Sequence, residues 1–323
     1  DPAAMANMLD FKPQYCIKNG SIMAGPLPVV SADIAAGKVD TVAMLFAVAS
    51  RSMGRQFGGS SDYKADGVPT SYYYHHPWGW SSQAAHWALM LSHYQAAYNV
   101  DEKSLAAVAV QLRKHAMAAP NAVMQTPMSV DDYLASRHIV RPLRLFDLCM
   151  VNDGAVCLIV TSADSARNMA QPSVLVAGWG ESFVKHSKMR AQVQERLRVQ
   201  MQAAGAQALN MAGLSLSDIQ HFEGYDASTM HLINQLEGFG FADEGAGLEF
   251  FKAGHAALDG KLPVNTAGGN LSGSYMQGWS QVAEIVHQLR HTAGERQIEG
   301  VETAMSALVQ TDQAHPLIFR RGM

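Results

Sequence analysis

The chain has 323 residues, 48% hydrophobic and only 16% charged, against roughly 25% charged in an ordinary globular protein. Lys plus Arg number 24 against 28 Asp plus Glu, with no basic cluster, which excludes a nucleic-acid binder along with disorder, collagen and coiled coil. The length supports one large or two medium domains with real cores, and the scarcity of charge points to surface buried in a subunit interface. In chain order, residues 14–17 read as a short strand followed by the turn Lys18-Asn19-Gly20-Ser21. A small-residue helix over 29–36 has Pro26 and Pro28 in its first turns, where proline is tolerated, and an apolar strand over 41–48 follows Gly37-Lys38. This strand, helix, strand grammar is of the α/β kind.

Residues 50–80 break that rhythm with Gly58-Gly59-Ser60-Ser61-Asp62 and the aromatic loop Tyr72 to Trp80, which suits either the wall of a large apolar ligand site or a packed interface. Helices are predicted at 82–98 and, after an Asp101 cap, at 103–117, with a capped segment at 131–136. The span 50–145 reads as a helical insertion. Asp153-Gly154, a turn, leads into a strand at 156–160, then a helix at 162–169 and a strand at 174–177. A long amphipathic helix over 189–212 ends at Gly213, and the next strand covers 219–224. Helices at 228–237 and 275–291 flank the loop Thr266-Ala267-Gly268-Gly269-Asn270, and strands at 303–310 and 316–320 close the chain. The expected organisation is an N-terminal unit over 1–168 carrying the insertion and a C-terminal unit over 169–323.

Cys16, Cys149 and Cys157 have no zinc spacing, and so small and odd a count suits a reducing, cytoplasmic location. Apolar stretches reach only about ten residues, too short for a membrane span, and Asp1-Pro2-Ala3-Ala4 has no signal-peptide character. Phosphate-loop, dinucleotide, zinc-protease and nucleophile-elbow motifs are all missing. His75-His76 lacks a third ligand at useful spacing, so no metal is expected.

Two segments stand out: Glu223-Gly224-Tyr225-Asp226-Ala227-Ser228, and Gly268 through Tyr275-Met276-Gln277-Gly278. Each places a tyrosine where a strand-end loop enters a helix, the usual ligand edge of an open α/β sheet. Either tyrosine alone reads as a packed, hydrogen-bonded residue at a helix start.

In the order Asn19-Gly20-Ser21, Asn152-Asp153-Gly154-Ala155, Tyr225-Asp226 and Gly268-Gly269 to Gly278, nearly the whole chain resembles the thiolase superfamily of the sterol-carrier-protein type. The resemblance implies two similar βαβ-type halves in an α/β/α/β/α layering. A thiolase carries its nucleophilic cysteine where Ser21 stands, and histidines where Tyr225 and Tyr275 stand. Its glycine-rich cysteine turn is replaced by Gln310-Thr311-Asp312-Gln313. The frame is kept and the acyl-transfer chemistry lost. Tyrosine at both histidine positions resembles the thiolase-like steroid side-chain aldolases, as do Gln235 to Phe241 and Asn265 to Leu271. A thiolase-type unit also has a strand-helix-strand-helix before residues 14–17, so the N-terminal half is expected to be incomplete.

That resemblance implies retro-aldol cleavage of a steroid side-chain β-hydroxyacyl-CoA to a 17-ketosteroid and propionyl-CoA or acetyl-CoA, with the CoA thioester as substrate and no prosthetic group. Tyr225 and Tyr275 are the expected proton-handling pair, helped toward the phenolate by helix N-termini. Gly268, Gly269, Asn270 and Ser21 are the candidates to contact the thioester, and Asp226 is expected to cap the following helix. The resemblance further implies a homodimer with an OB-fold, zinc-ribbon partner protein. Two other readings stay open: an acyltransferase using Ser21 or Cys16, and a silent lipid-binding or scaffold subunit.

Overall fold

The computed structural model describes the chain apart from residues 1, 9, 11, 14, 15, 17–21, 55–75, 79–81, 184–192, 311, 312 and 323. Helix α1 (Pro2–Met8), which the sequence reading lacks, precedes α2 (Pro26–Ala35), whose two prolines occupy its first turn. Strand β1 (Thr41–Ala49) pairs antiparallel with β4 (Asp153–Thr161), from Thr41↔Thr161 to Ala49↔Asp153. Between them lie α3 (Gln83–Tyr98), α4 (Glu102–Met117), α5 (Val130–Ala135) and a hairpin of β2 (His138–Val140) and β3 (Leu143–Arg144). Local chemistry sets these starts. Asp101 accepts from the Ser104 N–H at 2.8 Å, and Ser129 with Asp132 forms a capping box.

After α6 (Ala163–Ala166), the C-terminal sheet takes the order β5 (Val174–Trp179), β9 (Gln313–Arg321), β8 (Thr303–Val309), β7 (His221–Gly224), with β6 (Ser182–Phe183) added to β9. Among the described strands only β7 and β8 pair in parallel, in register from His221↔Ala304 to Gly224↔Ala307. Pro316 sits within central β9, and the β5 partner shifts register between Val176 and Gly178 just beside it. Helices α7 (Val193–Ala212), α8 (Thr229–Phe239) and α9 (Gly247–Lys252) belong to the larger core. A second core joins Met23, Leu27 and Val30 and helix α10 (Trp279–Leu289) to Met44 of β1 and to Ala304, Leu317 and Phe319.

The layers are therefore the β1–β4 pair, α2 with α10, the C-terminal sheet, and α7 with α8. These are four of the five expected layers; the outward side of β1–β4 leaves Leu45 40% and Ile159 61% exposed. Helix α10 starts later than predicted, because Gln277 (φ 50°) and Gly278 (φ 89°) hold left-handed backbone that no right-handed helix can include. The strand predicted at 14–17 falls largely outside the described residues; Cys16 there is exposed and belongs to no strand. No described helix is long and apolar enough to cross a membrane.

Candidate active site

Tyr225 directly follows β7 and is anchored through its main chain. Its N–H donates to the Ala307 carbonyl and its own carbonyl accepts from the Gln235 amide, both at 2.8 Å. Tyr275 lies between a turn of π-helix (Gly269–Gly273) and α10, and its N–H donates to Asn152 Oδ1 at 2.8 Å. The two anchors bring the phenol oxygens to 3.1 Å, with ring centroids 6.5 Å apart and planes inclined by 55°. Fifty residues of sequence separation thus close into one hydrogen bond.

The expected help from helix N-termini is corrected by this geometry. Neither tyrosine is in a helix: Tyr225 stands four residues before the first residue of α8, and Tyr275 four before that of α10. Burial instead dominates both phenols. It pushes Tyr225 well above the usual range, reinforced by the charge of Tyr275. Tyr275 is also raised by burial, but its hydrogen bonds with Tyr225 and the Gln277 side chain act in the opposite sense. Either hydroxyl can be the donor in the bond between them, and the Gln277 side chain acts on Tyr275 alone.

Asp226 does not cap α8; Ser228 stands at that cap and makes no side-chain capping bond. The fully buried Asp226 carboxyl instead accepts from the Asn270 N–H at 2.8 and 2.9 Å, the Leu271 N–H at 3.2 Å and the Gln281 amide at 3.2 Å. A side chain placed next to a turn of its own chain can cap a distant turn when the fold delivers one, and here the glycine loop is that turn. Burial pushes Asp226 up to about 8 against the opposing pull of the Asn270 and Leu271 N–H groups. Gly269, with φ 57°, leaves no room for a side chain: a Cβ there would lie 2.2 Å from Asp226 Oδ2.

The loop's peptide groups are largely engaged. Gly268 N–H donates to the Asn265 carbonyl at 2.8 Å, and Asn270 N–H is held by Asp226. The Asn270 side-chain amide, by contrast, is buried with neither atom partnered. The Asn265 side chain exchanges two bonds with Gly224, at 2.8 and 2.9 Å. Beneath it, His115 Nδ1–H donates to the carbonyls of Val264 and Asn265 while Nε2 accepts from Gln111; burial depresses this imidazole to about 4.

Ser21 and most of the Tyr72–Trp80 loop lie outside the described residues; Trp78 of that loop is 84% exposed. Met23 and Ala24, which follow Ser21, line a small cavity with Tyr225, Gly278 and Gln281. The aromatic neighbour of the site is His231, whose ring meets Tyr225 edge-on at 6.2 Å and Trp87 at 4.9 Å. The Cys149 thiol interacts electrostatically with both tyrosines and Asp226, and burial drives its pKa strongly up, the reverse of what a nucleophile needs. Sequence reasoning missed Asn152, Gln281 and His231. Asn152 alone carries a signal, as the first residue of Asn152-Asp153-Gly154-Ala155, a stretch that contributes to the thiolase-like pattern and reads as a turn but not as part of the site. No group of three or more metal-ligating side chains occurs among the described residues.

A family model for a thiolase C-terminal domain-like unit matches residues 182–311. Over 280 residues the chain is 34% identical to the 17-hydroxy-3-oxo-4-pregnene-20-carboxyl-CoA lyase of Mycobacterium tuberculosis, covering 83% of this chain and 71% of that protein. It is 32% identical over 282 residues to the steroid side-chain-cleaving aldolase of Thermomonospora curvata, covering 85% and 72%. The solved structure of an Ltp2-ChsH2(DUF35) aldolase superposes with a TM-score of 0.82 at 28% identity, covering 94% of this chain and 78% of that one. With its tyrosine pair in a thiolase frame and these relatives, the chain belongs to the thiolase superfamily, among the thiolase-like steroid side-chain aldolases.

Proposed function

We propose that the protein is a carbon–carbon lyase that cleaves the side chain of a 17-hydroxysteroid CoA thioester by a retro-aldol reaction, releasing a 17-ketosteroid and propionyl-CoA or acetyl-CoA. The observation that carries the reading is the 3.1 Å contact between the Tyr225 and Tyr275 hydroxyls in a partly buried site. A retro-aldol cleavage needs one group to take the proton of the tertiary hydroxyl and another to protonate the thioester enolate at carbon. As the carbon–carbon bond breaks, its electron pair moves into the enolate and the hydroxyl oxygen becomes the ketone. No acyl-enzyme forms, so neither a nucleophile nor a prosthetic group is required.

We assign Tyr275 as the base, because the Gln277 side chain is a hydrogen-bond partner that favours its anion and that Tyr225 lacks. Tyr225 then supplies the proton to carbon. Negative charge grows on the thioester oxygen, and a donor aimed at it stabilises the transition state. With the Gly268 and Asn270 peptide N–H groups engaged inside the protein, the unpartnered side-chain amide of Asn270 is the donor we assign from the glycine loop, with Gly269 and Ser21 as further contacts. We place the enzyme in the cytoplasm as a homodimer associated with an OB-fold, zinc-ribbon protein. The low charge content and the apolar outer side of β1–β4 agree with extensive interfaces.

The test is a mass-spectrometric product assay on both candidate CoA thioesters, with and without that partner. Wild type should release ketosteroid and acyl-CoA, and Tyr225→Phe and Tyr275→Phe should each lose at least about a hundredfold in turnover while remaining folded. A trapped covalent acyl-enzyme would establish acyl transfer instead. Tight binding of the thioester without turnover, even with the partner present, would make the chain a silent subunit.

A further inference from the structure

The two tyrosines are held by different parts of the chain. Tyr225 is fixed within the C-terminal residues by Ala307 and Gln235, whereas the main chain of Tyr275 is tied to Asn152, which precedes β4. Asn152 is 3% exposed, and both ends of its amide are used. Oδ1 accepts from Tyr275 N–H at 2.8 Å, and Nδ2 donates to Ser274 Oγ at 3.0 Å and to the Asp153 carbonyl at 3.1 Å. One side chain thereby grips two consecutive residues of the tyrosine loop. The next residue is gripped as well: Met276 fills the space beside Gly154, where an added Cβ would lie 1.9 Å from Met276 Cε. Asp153 is in turn pinned by Arg51 N–H at 2.8 Å and Ser52 Oγ at 2.7 Å, so the clamp rests on the end of the β1–β4 pair.

We infer that Asn152 is a positioning residue for the reaction, setting the Tyr275 phenol within hydrogen-bond reach of Tyr225; this rests on the two-tyrosine reading above. The chemical logic is directional. An amide offers an acceptor to the peptide N–H and a donor to the serine in one rigid plane, which neither an alkyl group nor a hydroxyl does. A displacement of about 1 Å between reacting groups can cost on the order of a hundredfold in rate, so a main-chain anchor at the base matters even though it touches no substrate.

The experiment measures kcat and KM for Asn152→Ala, Asn152→Asp, Tyr275→Phe and the double variant Asn152→Ala/Tyr275→Phe, with melting temperatures alongside. Asn152→Ala should lose about ten- to a hundredfold in kcat with KM changed by less than about threefold. Asn152→Asp keeps an oxygen for the Tyr275 N–H and should be faster than Asn152→Ala by at least about fivefold. In the Tyr275→Phe background, Asn152→Ala should cost less than about twofold more, because a residue acting through Tyr275 has nothing left to position. A kcat for Asn152→Ala within about threefold of wild type, or full multiplication of the two losses, overturns the inference while leaving the two-tyrosine reading intact. Near-wild-type activity of Tyr275→Phe instead overturns that reading itself. If Asn152→Ala does not fold, Asn152→Ser, too short to reach the peptide N–H, is held to the same thresholds.

Discussion

Gly269→Ala is the sharpest test of how Asp226 builds the site. The new methyl would lie 2.2 Å from Asp226 Oδ2, 2.7 Å from Asp226 Cγ and 2.6 Å from Asn265 Nδ2. Neither neighbour can yield freely. Asp226 is held by two peptide N–H groups and the Gln281 amide, and Asn265 by its paired bonds to Gly224. The left-handed backbone at φ 57° adds about 1–2 kcal/mol for any residue with a Cβ. Forcing a methyl into a filled core adds about 1–3 kcal/mol, and a buried hydrogen bond broken to make room adds about 1 kcal/mol. Gly37→Ala isolates the first contribution, since Gly37 has a similar φ of 68° with open space around it. Urea unfolding of the two variants should therefore show Gly269→Ala less stable than Gly37→Ala by about 2–4 kcal/mol. Turnover should fall in Gly269→Ala alone, because Asp226 adjoins Tyr225. Equal unfolding midpoints for the two would refute the assignment of Asp226 as the clamp of the glycine loop.

Three further outcomes are expected. Ser21→Ala keeps most of the activity in the product assay, since a retro-aldol step uses no nucleophile; a loss as deep as that of the tyrosine variants would revive acyl transfer. His115 is neutral in the fold, depressed to about 4, whereas the unfolded chain binds its proton below about 6.5, so this group's stability is lost as pH falls between those values. His115→Gln should accordingly gain on wild type in urea midpoint from pH 7 down to about 4, and parallel curves would sink the claim. Asp226 works in the other direction: held up to about 8 against about 3.9 unfolded, it keeps its proton in the fold while the unfolded chain loses it. Wild type should therefore lose ground to Asp226→Asn as pH rises from about 4 to about 8, and a gap independent of pH would show Asp226 to be ionised in the fold throughout.

Local chemistry made much of the framework legible. The apolar run at 41–48, the Asp101 cap and the glycine at 213 encode β1, α4 and the end of α7 within a few residues of where they stand. Such signals are short-range, being set by side-chain period and by a neighbour three or four residues away. Tyr225 and Tyr275 were visible for another reason: the resemblance to thiolases sets each of them where a histidine is expected. The hairpin β2–β3, the two-residue strand β6 and the late start of α10 were not legible. The strands are too short to show a period, and the left-handed backbone of Gln277 is imposed by its surroundings, including the Met23 N–H that its carbonyl accepts at 3.1 Å.

What the site does with its polar groups was decided only by the tertiary structure. Asp226 precedes a helix and reads as its cap, yet its carboxyl serves peptide groups more than forty residues away. Asn152 reads as the edge of a turn, yet it holds Tyr275. The helix termini offered in the sequence as the source of a basic phenol give way to burial, which acts on both tyrosines in the opposite sense. A carboxyl, an amide or a phenol can satisfy its hydrogen bonds with whatever the fold delivers, and burial is a property of the packed whole. Residue identity and period specify the elements and nominate the tyrosines; the partners and the protonation of those tyrosines follow from which distant backbone groups are brought beside them without water.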